Sequence, residues 1–195
     1  LNLLGPNCMG VSYVPKSRVT VWSGVSKIDG NVGFVSQSGG HTGTFSRYGP
    51  TVGVYCSKVI SIGNAYVIDG SDLLEYFSGD HDTSIICMYI EGIRNGKRLI
   101  DLVKKTNPSK PVIIWKGGLT PQGSRAVASH TASLAGQEKI WDAFFTQTGA
   151  IKANSVEEMC DVSSLFIMLT DPPGRRTVLL GGGGGNAVAA ADVCS

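Results

Sequence analysis

The sequence predicts a doubly wound α/β domain, with a mostly parallel sheet covered by helices on both faces. Short apolar runs of strand length alternate with segments of helical period, roughly 10 to 15 residues each, and this implies right-handed crossovers between parallel strands. Polar, glycine-rich stretches follow Val35, Ile90 and Trp115. Ligands of such sheets bind outside the carboxyl ends of the strands.

Residues 31–35 form the first buried strand, followed by Ser36-Gln37-Ser38-Gly39-Gly40 and a helix to about Tyr48. Residues 55–62 form the second strand. A helix opens at Ser71, an N-cap residue type, and continues at helical spacing through Leu74 and Phe77. Residues 84–90 are the third strand, 97–105 a helix that ends before Pro108, and 112–115 the fourth strand. A glycine and polar loop runs over 117–131. Amphipathic helices follow at 137–148 and 155–169, the second capped by Asn154 or Ser155 with Glu157 and Glu158 in its first turn. Asp171-Pro172-Pro173-Gly174 is a linker, and residues 177–180 with the glycines 181–185 begin a second α/β unit too short to fold alone.

The chain has 195 residues, enough for one such domain with a remainder at each end. Hydrophobic residues make up 42% and charged residues 16%, which excludes an intrinsically disordered chain. A net charge of +2 gives no case for a nucleic-acid or membrane-surface binder. The apolar runs are too short for a membrane span, which needs about 20 residues, and residues 1–5 lack the charged region of a signal peptide. Five scattered cysteines (Cys8, Cys56, Cys87, Cys160, Cys194) contain no Cys-x-x-Cys pair, so thiols in a reducing cytoplasm are expected, without a disulfide framework or bound metal. With no initiating Met and no capping element at Leu1, the sequence is expected to be cut from something larger. Glycine is the outlier, 26 residues or about 13%, roughly twice the usual share.

Part of that excess lies where the first strand turns into a helix. In Ser36-Gln37-Ser38-Gly39-Gly40-His41 the glycines allow close backbone approach, and free amides at a helix start favour an anion such as phosphate. The run is neither a P-loop nor the dinucleotide fingerprint; a tight turn that merely needs glycine is the plain alternative. Ser38 also has the setting of a nucleophile elbow, and the order Ser38, then Asp69 or Asp72, then His130 is that of an α/β-hydrolase, although Ser36 stands where the elbow wants glycine. Among the three histidines, His81 sits in a solvated turn and His41 reads first as a surface residue. His130 lies in a small-residue loop, where a neutral imidazole is available as nucleophile or base. Glu91 directly follows the third strand, a costly place for a carboxylate unless it is paired. Bound to one imidazole nitrogen, it would fix the tautomer and leave the other free to attack.

Six motifs in order carry a resemblance: Gly5-Pro6-Asn7-Cys8-Met9-Gly10-Val11, Phe34-Val35-Ser36-Gln37-Ser38-Gly39-Gly40, Ser61-Ile62-Gly63-Asn64, Asp72-Leu73-Leu74-Glu75-Tyr76, Tyr89-Ile90-Glu91-Gly92-Ile93 and Ser129-His130-Thr131-Ala132-Ser133-Leu134-Ala135-Gly136. Together the chain resembles the ADP-forming (NDP-forming) acetyl-CoA and acyl-CoA synthetases, related to the α subunit of succinyl-CoA synthetase. The resemblance implies a flavodoxin-like, succinyl-CoA ligase-like domain over 29–170. The end of a Rossmann-like CoA-binding domain and a linker would occupy 1–28, and a linker with the start of a second flavodoxin-like domain 171–195. It implies an acid-thiol ligase that turns acyl-CoA, phosphate and ADP into carboxylate, CoA and ATP, with magnesium accompanying the nucleotide. His130 would be the phosphorylated histidine, flanked by Ser129 and Thr131, and Glu91 its orienting carboxylate. Ser36, Gln37, Ser38, Gly39 and Gly40 would hold phosphate, and Asn7 and Cys8 would lie near the thioester. An ATP-grasp domain or β subunit is the implied partner, in a cytoplasmic oligomer, and the fragment alone is expected not to turn over. A non-catalytic acyl-CoA-sensing module fused to an acetyltransferase is the rival of another class. His41 and Ala132 depart from the family pattern, in which a leucine and a glycine are common at those places; Gly181 to Gly185 stands where relatives have a Gly-Gly-Pro-Gly type loop.

Overall fold

The computed structural model describes residues 2–13, 24–120, 122–123, 138–169, 174 and 176–194. Among these, the strands are β1 (Gly10–Tyr13), β2 (Val32–Ser36), β3 (Cys56–Ser61), β4 (Ile85–Ile90), β5 (Val112–Lys116) and β6 (Ile151–Ala153). The helices are α1 (Gly39–Tyr48), α2 (Gly70–Gly79), α3 (Gly96–Thr106), α4 (Glu138–Thr148), α5 (Val156–Met168) and α6 (Gly184–Val193), with a 3-10 turn at Gly49–Val52.

The strands form one sheet in the order β1-β3-β2-β4-β5-β6. All neighbours pair in parallel except β1, which lies antiparallel on β3. The parallel strands β2 to β6 therefore stand in the 2-1-3-4-5 arrangement of flavodoxin-like sheets, whose order reverses between the first and third strands. Here that switch point falls between β2 and β4, and it decides where the site lies.

Every residue of β2, β3 and β4 is buried, as expected for strands covered on both faces. Alternate residues feed two cores. Ile86, Met88 and Ile90 meet Leu74 and Phe77 of α2, Leu99 and Val103 of α3, and Trp141 and Phe144 of α4. Ile85, Cys87 and Tyr89 meet Phe45 of α1 and Val156, Met159 and Cys160 of α5. Rings of Phe34 and Phe45 stack at 4.0 Å and anchor α1 to β2.

Strands and helices stand within a residue or two of their expected limits, with three differences. The edge strands β1 and β6 were not foreseen, being 4 and 3 residues long. The cap of α2 is Asp69 rather than Ser71: the Asp69 carboxylate accepts from Ser71 N and Asp72 N, while the Asp72 carboxylate reaches back to Asp69 N, a complete capping box. Residues 177–180 form no strand, and α6 starts inside the glycine run. For the last helix of the domain, Ser155 is the cap, its hydroxyl accepting from Glu158 N.

Candidate functional site

The carboxyl ends of β2 and β4 flank the switch point. At the end of β2, Ser36 Oγ accepts from Ser38 N at 3.0 Å and donates to Ser38 O at 2.8 Å. Ser38 caps α1, its Oγ accepting from His41 N at 3.3 Å. No acidic residue occupies the first turn of α1, so the positive end of the helix dipole meets no carboxylate of that turn. Gln37 is buried, and its side chain turns toward β4. Gln37 Oε1 accepts from Glu91 N at 2.5 Å and Gly92 N at 3.0 Å, and Gln37 N donates to Tyr89 O at 3.2 Å. This one side chain ties the two strand ends together.

Glu91 follows β4 directly and is 5% exposed. Its Oε1 accepts from the Tyr89 hydroxyl at 3.2 Å, and its Oε2 is buried with no hydrogen-bond partner among the described residues. Burial, reinforced by the charge of Glu91, pushes the Tyr89 phenol well above its ordinary range, so it stays a donor. The ammonium of Lys116, at the end of β5, donates to Glu91 O at 2.9 Å and also to Gly117 O. Burial pushes Lys116 down to about 8, against the opposing pull of Glu91. Gly117 is required here: a Cβ at this position would lie 2.4 Å from the Tyr89 hydroxyl.

His41 is half-buried, not a surface residue. Its ring lies 4.5 Å from that of Tyr89 and 4.4 Å from that of Trp115. Burial lowers its pKa against the charges of Glu91 and Glu157, so near neutral pH the imidazole packs as an uncharged ring and adds no cation to the turn at Ser36–Gly40.

The segment carrying Asn7 and Cys8 lies along the same end of the sheet. Asn64 N donates to Pro6 O and Tyr66 N to Gly5 O, both at 3.0 Å, and Met9 N donates to Ser61 Oγ at 3.0 Å. Asn7 Nδ2 donates to Asn64 Oδ1 at 3.3 Å. Met9 touches the first turn of α1, where a methyl group on Gly39 would meet its Cγ and Sδ at 3.3 Å. Half-buried Cys8 turns its Sγ toward Leu4 O at 3.8 Å.

Five of the six motifs thus converge on one end of the sheet or on α2 beside it. Ser129, His130 and Thr131, the core of the sixth, lie outside the described residues. The other acids offered by the hydrolase order are engaged: Asp69 caps α2 and meets Arg94 at 3.3 Å, and Asp72 meets Arg98 at 2.6 Å. His81 is exposed in a turn. Among the described residues, no group of three or more His, Cys, Asp or Glu could hold a metal ion, and no helix is long and apolar enough to cross a membrane.

Residues 29–166 match the family described as the succinyl-CoA ligase like flavodoxin domain. The chain belongs to that family. It is 38% identical to the ADP-forming acetate–CoA ligase of Methanocaldococcus jannaschii over its whole length, which is 27% of that protein. It is 40% identical to the α subunit of ADP-forming acetate–CoA ligase II of Pyrococcus furiosus, over 85% of this chain and 36% of that one. The structure of acetyl-coenzyme A synthetase 1 of Ca. Korarchaeum cryptofilum in complex with phosphate and ADP superposes with a TM-score of 0.87 at 36% identity, covering 97% of this chain and 41% of that one. The chain therefore spans between a quarter and about two fifths of these relatives.

Within this succinyl-CoA ligase-like domain, sequence reasoning missed Lys116, Tyr89 and Trp115. Lys116 obeys the rule that singled out Glu91, a charge directly ending an apolar run, and that rule could have found it. Tyr89 and Trp115 are signalled only by strand register, which pairs them across β4 and β5.

Proposed function

We propose that this domain carries the phosphoryl group in an NDP-forming acyl-CoA synthetase. The buried, unpartnered Oε2 of Glu91, at the switch point beside the start of α1, is the observation that carries the reading. A buried carboxylate oxygen without a donor is expensive, and an imidazole N–H is a donor that would satisfy it. Similarity to ADP-forming acetate–CoA ligases over the whole chain supports the same reading.

In the proposed reaction, a phosphate oxygen attacks the thioester carbonyl, the C–S bond breaks and CoA leaves as a thiol after gaining a proton. The start of α1 holds the phosphoryl group through the helix dipole and the amides of Gly39 and Gly40, in a turn shaped by Ser36, Gln37 and Ser38. Asn7 and Cys8 stand on the thioester side. A neutral His130 nitrogen then attacks phosphorus, the bond from phosphorus to the acyl oxygen breaks and the carboxylate leaves. Glu91 accepts the other ring N–H and stabilises the developing imidazolium, as a carboxylate does for a catalytic histidine. Ser129 and Thr131 flank the phosphorylated residue. Transfer to the terminal oxygen of ADP breaks the P–N bond and regenerates the imidazole. Magnesium accompanies the nucleotide, and with no described cluster fit to hold a metal both are assigned to an ATP-grasp domain or β subunit beyond this chain. The proposed division keeps 29–170 as the phosphohistidine domain, 1–28 as the end of a CoA-binding domain with a linker, and 171–195 as a linker with the start of a second flavodoxin-like domain.

Incubating the full-length protein with labelled ATP and magnesium should place acid-labile phosphate on residue 130. His130→Ala should abolish it, and Glu91→Gln should slow phosphorylation about 100-fold through lost orientation. Label that survives His130→Ala would sink the assignment.

A further inference from the structure

The strand β5 is apolar through Trp115 and ends on Lys116, a lysine only 4% exposed. A buried ammonium costs free energy unless its protons find acceptors. Lys116 finds Glu91 O and Gly117 O, and its Nζ lies 5.4 Å from the centre of the Trp141 ring. It borders a mostly apolar cleft of about 450 Å³ walled by Leu99, Ile140 and Phe144, with Lys139 and Gln147 also in its lining. A methionine would pack there without the desolvation cost, so folding alone does not call for the charge. Its bonds go to the main chain at the one point where the proposed chemistry needs a fixed direction.

Glu91 is held from both faces of the sheet. Gln37 Oε1 binds its N–H and Tyr89 binds Oε1, leaving the carbonyl to Lys116 and only Oε2 free. The next residue is Gly92, whose backbone turns easily; Gln37 Oε1 holds the N–H of the Glu91–Gly92 peptide at 3.0 Å, and without Lys116 its carbonyl side loses its restraint. We propose that Lys116 is a positioning residue that fixes the main chain of Glu91 and thereby the direction of Oε2 toward the phosphoryl-accepting histidine. The inference rests on the role of Glu91 given above.

Among the described residues one charged group acts on Lys116, Glu91 from the end of β4; Lys139 of α4 lines the same cleft and is exposed. From α3 the cleft receives Gly96, Leu99 and Ile100, none of which titrates. Burial brings Lys116 from 10.5 down to about 8. The unfolded chain therefore binds this proton more readily, and the charge lowers stability below pH 8. That penalty is relieved as pH rises from 8 toward 10.5. Positioning runs the other way, because a neutral amine is the weaker donor. Above pH 8, activity and the stability contribution of Lys116 move in opposite directions, which a purely structural lysine would not produce.

The test uses the full-length protein with acyl-CoA, phosphate and ADP. For Lys116→Met, kcat should fall about 10- to 100-fold with KM nearly unchanged, the melting temperature should hold or rise, and the fall in kcat above pH 8 should vanish. Lys116→Arg should recover part of kcat. In protein carrying 13C-labelled glutamate carboxyls, the Glu91 resonance should shift in Lys116→Met. A parental kcat and pH profile in that variant, or an unmoved Glu91 resonance, overturns the proposal. If the histidine assignment fails instead, phosphate label persists in His130→Ala while the Glu91 resonance still moves with Lys116. Should Lys116→Met not fold, the parental pH series decides: kcat that stays flat while the Lys116 amine is seen to titrate overturns the proposal.

Discussion

His41 shows how neighbours rather than residue type decide whether a side chain is charged. Wedged against Tyr89 and Trp115, it titrates below its ordinary 6.5 because burial disfavours the imidazolium. Protons therefore prefer the unfolded chain, so this contribution to stability is intact above pH 6.5 and is lost as pH falls below it. His41→Leu keeps an apolar group in the box, and thermal unfolding from pH 7 to 5 should show a smaller drop in melting temperature than the parent; an equal drop would refute the argument. The sequence made Glu91 legible because a carboxylate ending an apolar run is costly enough to demand a reason. It could not make His41 legible, because the rings that bury it belong to two other strands.

At the scale of elements, the N-terminal strap and the loop after β3 depend on one glycine. Gly63 has φ +52°, and a Cβ there would stand 2.1 Å from Asn7 O. Gly63→Ala combines an unfavourable backbone with a collision against main chain, and should cost about 2 to 4 kcal/mol if the strap stays docked. The strap can escape by lifting, so hydrogen exchange at Asn64 and Tyr66, whose amides bond to Pro6 and Gly5, should speed up before global unfolding does. Unchanged protection at both amides would contradict the strap's dependence on this close approach. The buried parallel strands and the helices α1 to α5 were legible from period and caps. What escaped were β1 and β6, too short to show a period, and the choice of Asp69 over Ser71 as cap, since both are cap-forming types. Backbone geometry makes that choice, for Asp69 is the extended residue (φ −113°, ψ −175°).

At the scale of the molecule, strand order is what the sequence withheld: alternation of strands and helices announces a parallel sheet, but only long-range pairing puts β2 beside β4 and creates the switch point. The two cores lie on opposite faces of one sheet, so damage to either should be felt by the whole. Phe45→Ala, at a fully buried position stacked on Phe34, should cost about 3 to 5 kcal/mol. Fluorescence and far-ultraviolet circular dichroism should report coincident denaturant transitions, whereas separated transitions would show that the faces melt independently. The sheet closes on one side with β6, three residues long, whose Lys152 pairs with Asp142 of α4 at 2.9 Å. Short strands bearing lysine are poor templates for another chain's backbone, so this edge gives the sheet a built-in resistance to growing into fibrils strand by strand.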